Sequence, residues 1–146
     1  MADLTFMRQA PLDHLALPAQ AREALGAAGL GLGEIRFAGV VNLRARRDDL
    51  AARQALEGAL GAALPGVGKT AAAGEATLIG IGPDEWLAAG GEGPALAERL
   101  AAACQGHFAG ITDVSENYCT LVVSGPQSRT VLAKGCPLDL LPAVFQ

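Results

Sequence analysis

The strongest chemical signal in the sequence is Ala63-Leu-Pro-Gly-Val-Gly-Lys69-Thr70, a relaxed phosphate-loop pattern with alanine in place of its first glycine. Such a loop works when it follows a strand and opens a helix, because backbone amides and the helix N-terminus then face the phosphates. Here a helical pattern precedes the segment and Thr70-Ala-Ala-Ala-Gly-Glu leads toward a strand, so the order is reversed. No later apolar strand ends in an aspartate suited to magnesium. Lys69 is therefore expected to be a solvated loop charge rather than a phosphate ligand.

Gly-Leu-Gly-Leu-Gly at 29–33 lacks the third glycine of a dinucleotide fingerprint and stands before a strand, which predicts a connector. His14 and His107 are the two histidines, and Cys104, Cys119 and Cys136 the three cysteines. A histidine–cysteine pair assembled from distant segments would be a nucleophilic centre. The simpler expectation is a surface imidazole and packed thiols, with Cys119 facing a core because it alternates with Leu121 and Val123. Asp113, Ser115, Glu116 and Tyr118 gather polar groups that could hold a small ligand, or could satisfy backbone amides in a turn; the turn is expected. Trp86, the single tryptophan, follows a Gly-Pro-Asp-Glu turn and is expected in the core, with an interface position as the alternative. These residues give no catalytic, cofactor-binding or metal site.

The elements that must carry these groups follow from periodicity and punctuation. Pro11 and Pro18 around Asp-His-Leu-Ala-Leu predict a turn-rich arm, and residues 20–29 a short helix. Ile35, Phe37, Gly39, Val41 and Leu43 alternate, which predicts one strand over 34–46. Asp48 or Asp49 then caps a helix to about Leu64, with Leu50, Leu56 and Leu60 on its apolar stripe and Pro65-Gly66 ending it. Residues 63–76 read as a loop and 76–81 as a strand, with a turn at 82–85 and a returning strand from Trp86. A helix over 94–104, an extended piece after Gly106, a strand over 118–123 and a helix from a Ser124 cap to about Lys134 complete the order. The class this predicts is α+β, with ferredoxin-like split βαβ elements and helices on one face of a mixed sheet. An arm and short helix over 1–33 and one domain over 34–146 are the expected divisions.

Bulk properties narrow the partners. A length of 146 residues suits one domain. A net charge of -4 offers no basic field for nucleic acid, and Arg44, Arg46 and Arg47 are followed at once by Asp48 and Asp49. An odd cysteine count with no signal-like start predicts a reduced, cytoplasmic protein, and no stretch reaches the ~20 apolar residues of a membrane span. The strand at 118–123 has no later strand to pair with, and Cys136-Pro-Leu-Asp-Leu-Leu-Pro-Ala-Val-Phe-Gln146 ends in an apolar run. That combination predicts an unpaired edge, and either a missing C-terminal portion or a covering partner.

Three segments carry a family resemblance: Val-Val-Asn-Leu-Arg at 40–44, Gly-Pro-Asp-Glu-Trp-Leu at 82–87, and the stretch from Asp-Val-Ser at 113–115 through Ser-Gly-Pro at 124–126 to Leu-Ala-Lys-Gly-Cys-Pro-Leu-Asp-Leu at 132–140. Together they resemble the gamma subunit family of heterotetrameric sarcosine oxidase, and more distantly the folate-binding domain of the glycine cleavage T-protein. The resemblance implies a non-catalytic subunit of a complex that oxidises sarcosine to glycine and hydrogen peroxide and passes a one-carbon unit to tetrahydrofolate. It also implies FAD, covalent FMN and NAD on the alpha and beta subunits and zinc on the delta subunit. This chain would bind no cofactor and would pack chiefly on the alpha subunit. The alternative it leaves is a stand-alone folate-binding or aminomethyltransferase-like protein.

Overall fold

The computed structural model describes residues 9–16 and 29–144. The helix expected over 20–29 falls almost wholly outside them. The chain divides into two compact units, residues 37–118 and the joined segments 1–36 and 119–146.

In the unit 37–118, strand β2 (Val40–Ala45) sets the layers by alternation: Val41, Leu43 and Ala45 are buried, while Asn42 is half-buried and Arg44 exposed. Asp49 caps α1 (Leu50–Leu60) by accepting from the Ala52 amide at 2.9 Å, as its sequence position predicts. Ala52, Leu56 and Leu60 form the buried stripe. Leu50 is not on it; in the first turn it projects into solvent. The helix ends at Leu60 rather than near Leu64, because Gly61 takes φ 68° and returns its amide to the Glu57 carbonyl at 2.8 Å.

Four antiparallel ladders join β3 (Thr70–Ala73), β4 (Ala76–Gly82), β5 (Glu85–Ala89), β2 and β6 (Ala109–Asp113), in that spatial order. The sheet expected to be mixed thus pairs antiparallel throughout these ladders. Strands β2 and β4 run the same way with β5 between them, and the chain crosses from one to the other through α1 and the edge strand β3. Strands β5 and β6 do the same around β2, through α2 (Gly93–Ala103). These are the split βαβ elements of a ferredoxin-like α+β fold. Both helices pack on the sheet face that carries Val41, Leu43 and Trp86, and Leu56, Leu78 and Leu100 fill the layer between. Each such leucine contributes roughly 1.5–3 kcal/mol on leaving water.

Three local expectations fail here. Residues 63–76 are not all loop: Thr70–Ala73 forms edge strand β3, an alanine run of weak strand propensity held by pairing to β4. The single strand over 34–46 is two, β1 (Gly31–Ile35) and β2, because Phe37 adopts φ 56° and interrupts the extended chain. Gly31-Leu-Gly33, expected within a connector, is the start of β1.

In the other unit, β1 pairs antiparallel with β7 (Thr120–Ser124), from Gly31 opposite Ser124 to Ile35 opposite Thr120. The strand expected to lack a partner therefore has one, supplied from earlier in the chain. Ser124 ends β7 instead of capping the last helix, and α3 (Ser128–Leu132) is only five residues long with no side-chain cap. Near Asp13–Leu15, a single 3₁₀ turn, Asp13 accepts from the Ala10 amide at 3.0 Å and from Arg36 at 2.8 Å.

Candidate functional site

The helix-free face of the sheet in unit 37–118 collects the polar side chains. Arg44 stands directly opposite Glu85, and Asn42 opposite Thr112. One carboxylate oxygen, Glu85 Oε1, accepts from Asn42 Nδ2 at 2.8 Å, Arg44 Nε at 3.0 Å and Arg44 Nη2 at 2.7 Å. The Asn42 bond, then the Arg44 guanidinium, hold the Glu85 carboxyl below its ordinary value. A small groove lined by Asn42, Arg44, Thr112, Asn117 and Tyr118 lies to one side. A larger open groove of about 680 Å³ lies to the other, between Arg44, Arg46, the Pro83–Asp84 turn and Phe108. Arg46 is chelated by Asp48, Nε to Oδ1 at 2.9 Å and Nη2 to Oδ2 at 2.7 Å.

The polar cluster at 113–118 is consumed by the backbone, as expected. Ser115 Oγ accepts from the Val40 amide at 2.9 Å and donates to Asp113 Oδ1, which also accepts the Ser115 amide at 3.0 Å. Gly93 packs against this knot so closely that a Cβ there would lie 2.2 Å from Ser115 Oγ. Glu116 and Tyr118 are exposed beside it. The arrangement pins the start of β2 to the end of β6; it leaves Asp113 and Ser115 committed rather than poised for a ligand.

Trp86 is in the core, donating from Nε1 to the Pro65 carbonyl at 2.7 Å, with the Arg53 guanidinium 5.3 Å from its ring centroid. The phosphate-like loop is stitched down: the Gly68 amide bonds the Gly80 carbonyl at 2.8 Å and the Lys69 amide the Gly66 carbonyl at 3.0 Å. These amides are spent on β4 and on the turn, so the loop cannot cradle a phosphate in the way its residue types suggest. His14 and His107 are both exposed, and among the described residues no hydrogen bond joins either imidazole to a cysteine. Cys104 is buried, and burial pushes its thiol pKa up. Cys119 does not face a core; it is exposed and donates to Glu34 Oε1 at 3.2 Å, which raises its pKa. Cys136 is half-buried. Among the described residues no three His, Cys, Asp or Glu side chains come together to hold a metal ion.

Sequence reasoning missed the Asn42–Arg44–Glu85 network and the exposed Phe108. The first was discoverable: if Val41 and Leu43 face the core, Asn42 and Arg44 share the other face, and a tight 82–85 hairpin brings Glu85 beside them. Phe108 carries no periodic signal, because it lies in the turn where the His107 carbonyl accepts the Ala109 amide at 3.1 Å.

Comparison with known proteins adds to this geometry. The profile of the family "Sarcosine oxidase, gamma subunit family" matches residues 44–146. A sarcosine oxidase subunit gamma from Arthrobacter sp. is 41% identical over 147 aligned positions, covering 99% of this chain and 71% of that protein. Another, from Corynebacterium sp. (strain U-96), is 37% identical with the same coverage. The solved structure of heterotetrameric sarcosine oxidase from Corynebacterium sp. U-96, in complex with pyrrole 2-carboxylate, contains a chain that superposes with TM-score 0.83 and 35% identity, over 96% of this chain and 72% of that one. The glycine cleavage system aminomethyltransferase T from Bartonella henselae superposes with TM-score 0.61 over 78% of this chain and 34% of that one; at 21% identity this likeness concerns the fold.

Proposed function

This chain belongs to the sarcosine oxidase gamma subunit family, and from that premise we propose that it serves as the non-catalytic gamma subunit of a heterotetrameric sarcosine oxidase. The observation that carries the reading is the match to a chain of the Corynebacterium oxidase over 96% of the present sequence. In this role the chain supports a complex that oxidatively demethylates sarcosine to glycine, with hydrogen peroxide and methylene-tetrahydrofolate as the other products. FAD, FMN, NAD and zinc belong to the other subunits. The alpha subunit is the principal partner, beta and delta complete the complex, and the compartment is the cytoplasm.

The groups that looked most chemical support that assignment through what they are already doing. Asp113 and Ser115 hold backbone, Glu85 is charge-paired, the Lys69 amide is bound within its loop, and the hydrogen bond to Glu34 raises the pKa of the exposed Cys119 thiol. A nucleophile needs an adjacent base within hydrogen-bond reach, and these groups are instead committed to folding. Co-expression with the other oxidase subunits should yield a complex that retains this chain through gel filtration. An oxidase fully active without it, with the chain eluting alone, would refute the assignment. The alternative of a folate-binding or aminomethyltransferase-like protein acting alone draws on the shared fold; calorimetric titration of the chain with tetrahydrofolate, yielding heat and thermal stabilisation, would favour it.

A further inference from the structure

We infer that the β1–β7 ladder is a clasp that opens while residues 37–118 stay folded, so that the chain has a second, partly open native form. The inference concerns the chain itself and stands independently of the gamma-subunit reading. In sequence β1 leads into the unit 37–118 and β7 leads out of it. Among the described residues their ladder, from Gly31 opposite Ser124 to Ile35 opposite Thr120, is the one strand pairing that joins the segments on either side of that unit.

The two units differ in what holds them. The core of 37–118 is built from its own residues, between Val41 and Cys104, with Leu43, Leu56, Leu78, Trp86 and Leu100 withdrawn from water. In the other unit the buried residues, among those described, are Ala10 and Gly31. Neither face of the clasp is covered. Leu32 and Leu121 lie on one face, 39% and 49% exposed, and Ile35 and Val122 on the other, 48% and 42% exposed. A two-stranded ladder with both faces half in water is marginal, because it gains hydrogen bonds without the apolar burial that offsets the entropy of ordering. Gly31 and Gly33 weaken β1 further, since glycine has the most conformational freedom to lose on pairing. The Cys119–Glu34 hydrogen bond across the clasp is exposed, and α3 adds only five residues with no side-chain cap and none buried. Segments with few buried apolar groups open first, and here opening leaves the core of 37–118 untouched. The open form presents two five-residue strands with unpaired backbone.

The test is amide hydrogen exchange of the intact chain under native conditions, read by mass spectrometry of peptides that cover β1, β7, β2 and β5. The slowest amides of 31–35 and 120–124 should exchange together, at least about a hundredfold faster than the slowest of 40–45 and 85–89. Gly33→Val tests the cause by strengthening the clasp: a Cβ at Gly33 meets nothing within 4 Å, and the new side chain stands opposite Val122. It should slow exchange in both clasp strands about two- to fivefold and leave 40–45 unchanged. Val122→Gly, which removes a side chain that is 42% exposed, should speed both clasp strands and likewise spare 40–45. Equal rates in the clasp and in β2 and β5 overturn the inference, since the chain then opens only as a whole. Variant effects that spread equally to 40–45, or that touch one clasp strand without the other, overturn it too, as does the absence of any change in both variants.

Discussion

The indole nitrogen of Trp86 donates to the carbonyl oxygen of Pro65 at 2.7 Å, joining the middle of the sheet to the loop that follows α1. The bond satisfies the one polar atom of the largest core side chain and fixes the segment that resembles a phosphate loop.

Replacing Trp86 therefore has two separable costs. Trp86→Ala should destabilise by about 3–5 kcal/mol through the cavity it leaves. Trp86→Phe should cost less, with the loss of the Pro65 contact contributing about 1 kcal/mol. Urea denaturation of both variants checks this, and equal costs would show that the hydrogen bond is immaterial.

Gly93 and Ser115 should behave as a coupled pair. A Cβ at Gly93 meets Ser115 Oγ at 2.2 Å and Asp113 Oδ1 at 2.8 Å, while Ser115 Oγ also serves the Val40 amide. Gly93→Ala should destabilise strongly. Ser115→Ala should cost about 1–3 kcal/mol for the orphaned amide. The double variant should be more stable than the sum of the two, because removing the hydroxyl relieves the clash. A strictly additive cycle would disprove the steric account.

The Glu85 network predicts an acid limb in stability. Its folded-state pKa is depressed below 4.5 by Asn42 and Arg44, so the unfolded chain takes up a proton first as the pH falls. The contribution is present in full above the unfolded value and disappears as the pH drops through the folded one. Glu85→Gln should flatten the dependence of the denaturation midpoint on pH below about pH 5. An unchanged slope would mean that the exposed triad contributes nothing measurable.

Cys119 should label slowly for an exposed thiol. Its hydrogen bond to Glu34, slight desolvation and the charge of Glu34 all raise its pKa, which lowers the thiolate fraction at neutral pH. Glu34→Gln should accelerate alkylation of Cys119, followed by mass spectrometry, and leave the buried Cys104 unlabelled until the chain unfolds. Identical rates in the two proteins would contradict the Glu34 effect.

The legible parts of the fold were those written in local chemistry. The Asp49 cap, the Gly-Pro-Asp-Glu hairpin and the split βαβ order follow from residues near one another in sequence. Hidden were features that composition and alternation do not announce. Phe37 breaks an otherwise clean alternation with a positive φ, and Thr70–Ala73 becomes a strand only because β4 lies beside it. Cys119 alternates with apolar neighbours, which suggested burial, but two-stranded pairing with β1 leaves it exposed. Asp113 and Ser115 were expected to satisfy backbone amides and do so, while the Asn42–Arg44–Glu85 network needed the strand register to be seen.

The pairing of β1 with β7 also sets an order of events on the ribosome. Glu34 and Cys119 touch although 85 residues separate them, and the whole of residues 37–118 is synthesised between. In the intervening unit the β3–β4 and β4–β5 ladders join strands that emerge close together, while β2 pairs with β5 and finally with β6, so its ladders can all close once residue 113 has emerged. Strand β1 has to wait, its backbone unpaired, until β7 appears, and the loop-closure entropy of that late step is met only after the inserted unit has shortened the effective span. Nascent chains halted before residue 119 should therefore present β1 as bait for chaperones, and that interval is when this protein is most exposed to mispairing.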